Sequence, residues 1–150
     1  MLCQFIFRNY KSYKDETIFD LQAVSKYGFE NSLLRNSKDK RAFLPVSVVY
    51  GPNAGGKSNV LEALKCLITI VMKPILLLKN NSQLNTSVEC IPFMLDDTSR
   101  NQPTEFEVFF RIEDYEYRYI VSIFNGDIIE EYLTYLKTED VGMKYFHAEL

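Results

Sequence analysis

The fold is decided by one stretch of the chain, Gly51-Pro52-Asn53-Ala54-Gly55-Gly56-Lys57-Ser58. It matches the phosphate-binding pattern G-x-x-x-x-G-K-[ST] at every fixed position. The β-branched run at residues 46–50 precedes it and predicts a buried strand, and Asn59 continues it into a helical pattern. Strand, glycine-rich loop and helix, in that order, are the context in which this pattern binds a nucleoside triphosphate.

Each residue type in this stretch has a chemical reason to be there. Glycines let the backbone curl so that several amide N–H groups point at phosphate oxygens, and the helix that follows adds its own unpaired N–H groups. Lys57 is expected to reach the β- and γ-phosphates and to stabilise the transferring phosphoryl group, which makes it the candidate catalytic residue. The Ser58 hydroxyl is the expected Mg²⁺ ligand.

Composition sets the broad class. The 150 residues are enough for one domain, and 47% hydrophobic with 25% charged residues is typical of a globular protein. A net charge of −3 provides no overall nucleic-acid footprint. The three cysteines are scattered, which disfavours a disulfide framework or a zinc site and favours the reducing cytoplasm.

Several other classes lack support in the sequence. No signal peptide pattern opens the chain. The most apolar stretch, residues 61–78, is interrupted by charged residues and Pro74, so it predicts a core helix and no membrane span. His147 is the only histidine, and nothing near it supports Ser-His-Asp or Cys-His catalysis.

Hydrophobic periodicity predicts the elements before the loop. Residues 2–8 and 17–24 alternate between apolar and polar positions, which predicts an antiparallel hairpin. Residues 25–40 are polar and predict a long loop with one helical turn around Leu33-Leu34, and residues 43–50 predict the strand that enters the glycine-rich loop.

The period changes twice after the loop. Residues 58–73 predict a helix that Pro74 ends or kinks, with a further helical turn at residues 75–79. From Thr104 onward, alternating runs separated by turns predict a three-stranded antiparallel meander with a wet, charged face, and Asn125-Gly126 is its strongest turn signal. The predicted fold class is therefore mixed α/β: a P-loop core fragment with an N-terminal hairpin and a meander.

Two motifs carry a resemblance to a known family. Asn53 within G-P-N-A-G-G-K-S-N resembles the G-x-N-x-x-G-K-[ST] loop of ATP-binding-cassette-type ATPases, in particular the RecF/SMC-like branch. Phe5-Ile6-Phe7-Arg8-Asn9-Tyr10-Lys11-Ser12-Tyr13 resembles the N-terminal signature of the same branch. The nearest match is to its small AAA-type ATPases, which include relatives of the overcoming-lysogenisation-defect nucleases. The resemblance is good over residues 1–60 and loose through the meander.

The resemblance implies a ligand, partners and additional site residues. It implies ATP and Mg²⁺, with Asn53, Gly55 and Gly56 in the phosphate cradle and Arg8 and Asn9 near the nucleotide. It also implies a homodimer that holds ATP between two heads, cytoplasmic and without a membrane, whose output is work on DNA or control of an associated nuclease or toxin. The whole cofactor-binding set is then Gly51, Pro52, Asn53, Ala54, Gly55, Gly56, Lys57, Ser58, Asn59, Arg8 and Asn9.

The chain also departs from the family pattern. A Walker B strand ending in Asp-Glu, a signature loop and a switch histidine are not found. The stretch Ile91-Pro92-Phe93-Met94-Leu95-Asp96-Asp97 is an apolar run ending in two carboxylates, but Pro92 disfavours a central strand, and Asp96 and Asp97 are expected to begin a loop. Residues 1–150 are therefore expected to be the N-terminal part of a longer ATPase head, able to bind ATP without turning it over.

Two other functions stay open at this point. In the first, ATP occupancy drives association of a regulatory binding module whose hydrolysis is slow or absent, with the meander as the partner surface. In the second, the chain belongs to a transporter's ATP-binding cassette, which the N-terminal signature fits less well.

Overall fold

The computed structural model describes residues 1–24, 30–35, 41–79, 90–138 and 146–148. Its main sheet has six strands, all paired antiparallel, in the order β2-β1-β5-β6-β7-β8, and a separate two-stranded sheet pairs β3 with β4. The strands are β1 (Leu2–Arg8), β2 (Thr17–Asp20), β3 (Leu34–Arg35), β4 (Ala42–Phe43), β5 (Thr104–Ile112), β6 (Tyr115–Phe124), β7 (Asp127–Lys137) and β8 (Phe146–Ala148). The helices are α1 (Lys57–Lys79) and α2 (Asp97–Arg100), with a 3-10 turn at Glu30–Ser32.

The hairpin and the meander form as predicted. Strands β1 and β2 pair with Phe5 opposite Phe19, and β5, β6 and β7 follow one another as neighbours. Asn125 and Gly126 both have positive φ angles, 53° and 86°, as the two-residue turn between twisted strands requires. These pairings depend on local period and turn chemistry, which is why the sequence predicts them.

The core lies between α1 and one face of the main sheet. Phe5, Phe7 and Phe106 are fully or almost fully buried there, and their rings stack along the sheet. The helix contributes a stripe of buried residues at three- and four-residue spacing, namely Val60, Ala63, Cys66, Leu67 and Ile70. This packing attaches the start of α1, and so the end of the glycine-rich loop, to the sheet.

Of the two outcomes predicted at Pro74, an end of the helix is wrong, and the helical turn predicted at residues 75–79 forms as a continuation of α1. Helix α1 continues without interruption to Lys79. A proline removes only one intrahelical hydrogen bond, and a helix of 23 residues can continue past that loss. None of the helices in the described part of the chain is both long and apolar enough to span a membrane.

The predicted buried strand before the loop is also wrong. Of the strand predicted at residues 43–50, only Phe43 lies in a strand, the short β4 (Ala42–Phe43). Residues 46–50 form no strand. Val46, Val48 and Tyr50 are 73%, 76% and 90% exposed. A buried strand needs a neighbour on its edges, and no other described residue pairs with this segment.

Two smaller expectations are corrected as well. The helical turn expected around Leu33-Leu34 is a 3-10 turn at Glu30–Ser32, and Leu34 pairs with Phe43 in the small sheet. The charged face of the meander is not wet throughout, because Arg111 and Glu116 form an ion pair of 2.8 Å in which both side chains are 3% exposed. The Phe43 ring lies 4.8 Å from the Arg111 guanidinium and covers it.

Candidate functional site

The glycine-rich loop lies at the surface, directly before α1. Residues 51–55 are exposed, and Gly56 and Lys57 are half-buried. The helix begins at Lys57 and has no acidic residue in its first turn. Its first N–H groups have no intrahelical acceptors and form the positive end of the helix dipole. An anion is the ligand that this position favours.

Hydrogen bonds close the loop into a compact turn. The Gly55 N–H donates to the Pro52 carbonyl (3.2 Å), and the Asn59 N–H donates to the Gly56 carbonyl (2.8 Å). Ala54 and Gly56 have φ angles of 61° and 82°, in the left-handed region. A Cβ at Gly55 would lie 3.0 Å from the Pro52 carbonyl oxygen. Gly55 and Gly56 therefore meet steric requirements of this loop, whereas a Cβ at Gly51 would meet nothing within 4 Å.

Lys57 folds back over the loop that precedes it. Its ammonium donates to the carbonyl oxygens of Gly51 (3.0 Å) and Pro52 (2.7 Å). Both acceptors are neutral. Because a phosphate oxygen carries negative charge and a carbonyl oxygen does not, a phosphate at the loop would compete well for this ammonium.

The Ser58 hydroxyl is exposed at the same end of α1. Within the part of the chain that the structure describes, no hydrogen bond occupies it. The same residues contain no group of three or more His, Cys, Asp or Glu side chains that could hold a metal ion. The donor set fits Mg²⁺ in the manner this ion prefers, with one protein oxygen and the rest from phosphate and water.

The turn after β1 contacts the loop through residues that the sequence did not single out. Asn59 Nδ2 donates to Ser12 Oγ (2.7 Å), and the Tyr13 hydroxyl donates to the Gly56 carbonyl (3.3 Å). One turn further along α1, Lys11 forms an ion pair with Glu62. We call these three contacts, of Lys11, Ser12 and Tyr13 with Glu62, Asn59 and Gly56, the turn clasp. The sequence signal for this turn is the resemblance of residues 5–13 to the family's N-terminal signature.

Arg8 forms an exposed ion pair with Glu105 on β5. Asn59, predicted to bind cofactor, uses its side chain in the turn clasp. A nucleotide contact by either residue stays a prediction.

Asn9 is 2% exposed and is surrounded by protein. Its amide nitrogen lies within hydrogen-bond distance of three carbonyl oxygens, those of Ser99 (2.8 Å), Gln102 (2.9 Å) and Pro103 (3.1 Å). Its amide oxygen accepts from the Phe93 N–H (3.0 Å). Contact between this side chain and a nucleotide would require breaking these bonds, so the prediction that Asn9 binds the nucleotide gains no support from its position.

Residues 91–95 form no strand, which agrees with the rejection of this segment as a Walker B motif. Asp96 instead caps α2, because its Oδ1 accepts from the Ser99 N–H (2.6 Å). Its other oxygen pairs with Lys14 at 2.8 Å. The bond from Lys14, followed by the one from Ser99, lowers the pKa of Asp96 to about 2.

We expect Asp96→Asn to lower stability at neutral pH but not at pH 2. Asparagine caps helices as well as aspartate does, so the substitution removes the charge alone. Because the folded-state pKa lies below the ordinary 3.8, the stabilisation is present above about pH 4 and is lost as the pH falls through about 2. Urea midpoints of both proteins between pH 2 and 7 measure this difference.

Asp97→Asn is the matched control, because the Asp97 carboxylate is 95% exposed and, among the described residues, pairs only with Arg100 on its own short helix. A difference in urea midpoint between wild type and Asp96→Asn that does not change with pH would contradict the lowered pKa of Asp96.

Gly56→Ala is expected to destabilise the protein more than Gly126→Ala. The two glycines have similar φ angles, 82° and 86°, so both substitutions incur left-handed strain of about 1 to 2 kcal/mol. A Cβ on Gly126 meets nothing within 4 Å, whereas one on Gly56 would lie 2.9 Å from Ser12 Oγ and 3.1 Å from the Tyr13 hydroxyl. Relieving that crowding would break bonds of the turn clasp, which adds about 1 kcal/mol. Urea denaturation of both variants tests this, and equal losses would contradict it.

A family model described as "AAA domain, putative AbiEii toxin, Type IV TA system" matches residues 46–149, well over half of the chain. The match begins just before the glycine-rich loop and includes the loop, α1 and the meander. No match was found among curated proteins.

Proposed function

We propose that this chain, which belongs to the family of AAA domains described as a putative AbiEii toxin of a type IV toxin–antitoxin system, binds ATP at residues 51–58. One observation carries the proposal. The exposed glycine-rich loop lies at the start of α1, with the Lys57 ammonium held over it by two neutral carbonyls. Membership of an AAA family supports nucleotide binding in general. The exposure of the loop at the start of α1 supports residues 51–58 as the binding site.

The residues of the loop would divide the work between them. The backbone N–H groups of the loop and of the first turn of α1 would bind phosphate oxygens, and Lys57 would exchange its carbonyl partners for the β- and γ-phosphates. Ser58 would hold Mg²⁺, which when bound neutralises charge on the phosphates. Asn53, exposed within the loop, would complete the cradle.

We infer that hydrolysis is the activity of the complete protein. Positioning and electrostatic stabilisation by Lys57 and the loop amides are the contributions that this part of the chain can make to phosphoryl transfer. We further propose that the chain belongs to the RecF/SMC-like branch and forms a dimer with ATP between two heads. Its activity would take place in the cytoplasm and serve work on DNA or defence. The toxin–antitoxin wording of the family description supports the defence output.

A second candidate function is a nucleotide-responsive module without turnover. It is favoured by the ion pairing of two carboxylates near the turn after β1. Glu62 pairs with Lys11 and Asp96 with Lys14, so neither is available to activate water. In this function ATP binding alone would change the association of the protein with a partner.

Calorimetry with ATP and GTP, with and without Mg²⁺, tests the binding, and phosphate release from the full-length protein tests the turnover. Binding with turnover supports the ATPase, and binding without it supports the responsive module. No binding of either nucleotide would contradict both.

A further inference from the structure

We propose that Tyr13 is a positioning residue for the glycine-rich loop: through the turn clasp it fixes the peptide between Gly56 and Lys57, so that the Lys57 N–H is directed at the phosphates before a nucleotide binds. This inference rests on the proposed nucleotide binding at residues 51–58. It assigns a role to a residue outside the phosphate-binding pattern.

The argument begins at the Gly56 carbonyl. This oxygen accepts two hydrogen bonds, one from the Tyr13 hydroxyl (3.3 Å) and one from the Asn59 N–H (2.8 Å). A carbonyl oxygen has two lone pairs, so both are engaged. With two donors on separate segments, the direction of this carbonyl is set from outside the loop as well as from within α1.

Fixing the carbonyl also fixes the neighbouring N–H. A trans peptide is planar, and its C=O and N–H point to opposite sides. The N–H of the Gly56–Lys57 peptide belongs to Lys57, the first residue of α1, where an N–H has no intrahelical acceptor. The Tyr13 hydroxyl therefore holds the Lys57 N–H, for which no described residue is an acceptor, pointing away from the turn clasp.

Glycine makes this restraint necessary. Gly56 has a φ of 82° and, without a Cβ, can reach many other conformations at little cost. Ser12 Oγ and the Tyr13 ring occupy the space where its Cβ would be, at 2.9 Å and 3.3 Å. The turn thus contacts Gly56 on its α-carbon and on its carbonyl, and limits a residue that is otherwise free to rotate.

Tyr13 is itself held firmly enough to act in this way. Its ring packs edge-on against Phe7 of the core, with centroids 5.1 Å apart and planes at 79°. Tyr10 and Tyr13 exchange backbone hydrogen bonds of 2.8 and 2.9 Å across the turn. The side chains of Lys11 and Ser12 attach the same turn to α1. Preorganisation of this kind raises affinity by reducing the ordering that binding requires.

Tyr13→Phe tests the proposal, because it removes the hydroxyl and keeps the ring against Phe7. We expect the dissociation constant for ATP to rise about two- to ten-fold, the range for one neutral hydrogen bond. Inorganic triphosphate should weaken by the same factor, since the effect acts on phosphate and not on the base. Amide hydrogen exchange should accelerate at residues 51–57 and stay unchanged in β5 and β6.

Tyr132→Phe is the matched control, since this tyrosine is 48% exposed on β7. Unchanged ATP and triphosphate affinity in Tyr13→Phe would overturn the proposal. Faster exchange throughout β5 and β6 would also overturn it, because the hydroxyl would then stabilise the fold as a whole. Lys57→Ala distinguishes the proposed nucleotide site from the proposed role of Tyr13. If Lys57→Ala abolishes binding while Tyr13→Phe has no effect, the nucleotide site is supported and only the role of Tyr13 is wrong.

Discussion

Lys57→Ala is expected to weaken ATP binding by at least about a hundred-fold, because hydrogen bonds to charged groups contribute about 1.5 to 3 kcal/mol each and this ammonium would make two of them. The fold should remain intact. Lys57 is half-exposed, and its only bonds to described residues are to two carbonyls of its own loop. Isothermal titration with ATP measures the affinity, and circular dichroism checks the fold.

Lys65→Ala is the matched control for this experiment. Lys65 lies on the same helix, two turns beyond Lys57, and is exposed. A loss of affinity in both variants would point to general electrostatic attraction by the helix. Unchanged binding in Lys57→Ala would contradict the assignment of the nucleotide site to residues 51–58.

Asn9→Ala is expected to lower the free energy of unfolding by about 3 kcal/mol or more, since each buried polar group left without a partner costs about 1 to 3 kcal/mol. The Asn9 side chain binds the Phe93 N–H and the carbonyls of Ser99, Gln102 and Pro103. Its φ of 54° adds left-handed strain for alanine. Urea denaturation followed by circular dichroism measures the loss.

Asn9→Gly separates the two contributions to this effect. Glycine tolerates the left-handed backbone but lacks the amide, so it should retain most of the loss and recover about 1 kcal/mol relative to alanine. A loss below about 1 kcal/mol in both variants would show that water satisfies the freed groups and that Asn9 is not essential to the fold.

Local signals account for what the sequence predicted correctly. The alternation in β1 and in the meander depends on a two-residue period, and the Asn125-Gly126 turn depends on two residues that accept positive φ. The glycine-rich loop is contiguous, so its pattern could be recognised without knowing what surrounds it. Its attachment to a helix was predicted on the same basis.

Other predictions failed because they depended on distant partners. Residues 46–50 have the composition of a buried strand, but a strand forms only where another edge is available to pair with it. Arg111 and Glu116 form a buried ion pair on a strand pair whose outer face the sequence predicts to be wet. Phe43, almost seventy positions earlier, covers the Arg111 guanidinium. Composition alone does not show which residues will meet.

The sequence by itself determined that this chain contains a loop with the phosphate-binding pattern at the start of a helix, with Lys57 and Ser58 at its end. That information is carried by contiguous residues whose chemistry does not depend on the rest of the fold. Only the tertiary structure decided that Asn9 faces Ser99, ninety positions away, and that Tyr13 faces Gly56. Two residues of one turn thus bind different segments of the chain, because side-chain hydrogen bonds depend on packing between distant segments and not on local period.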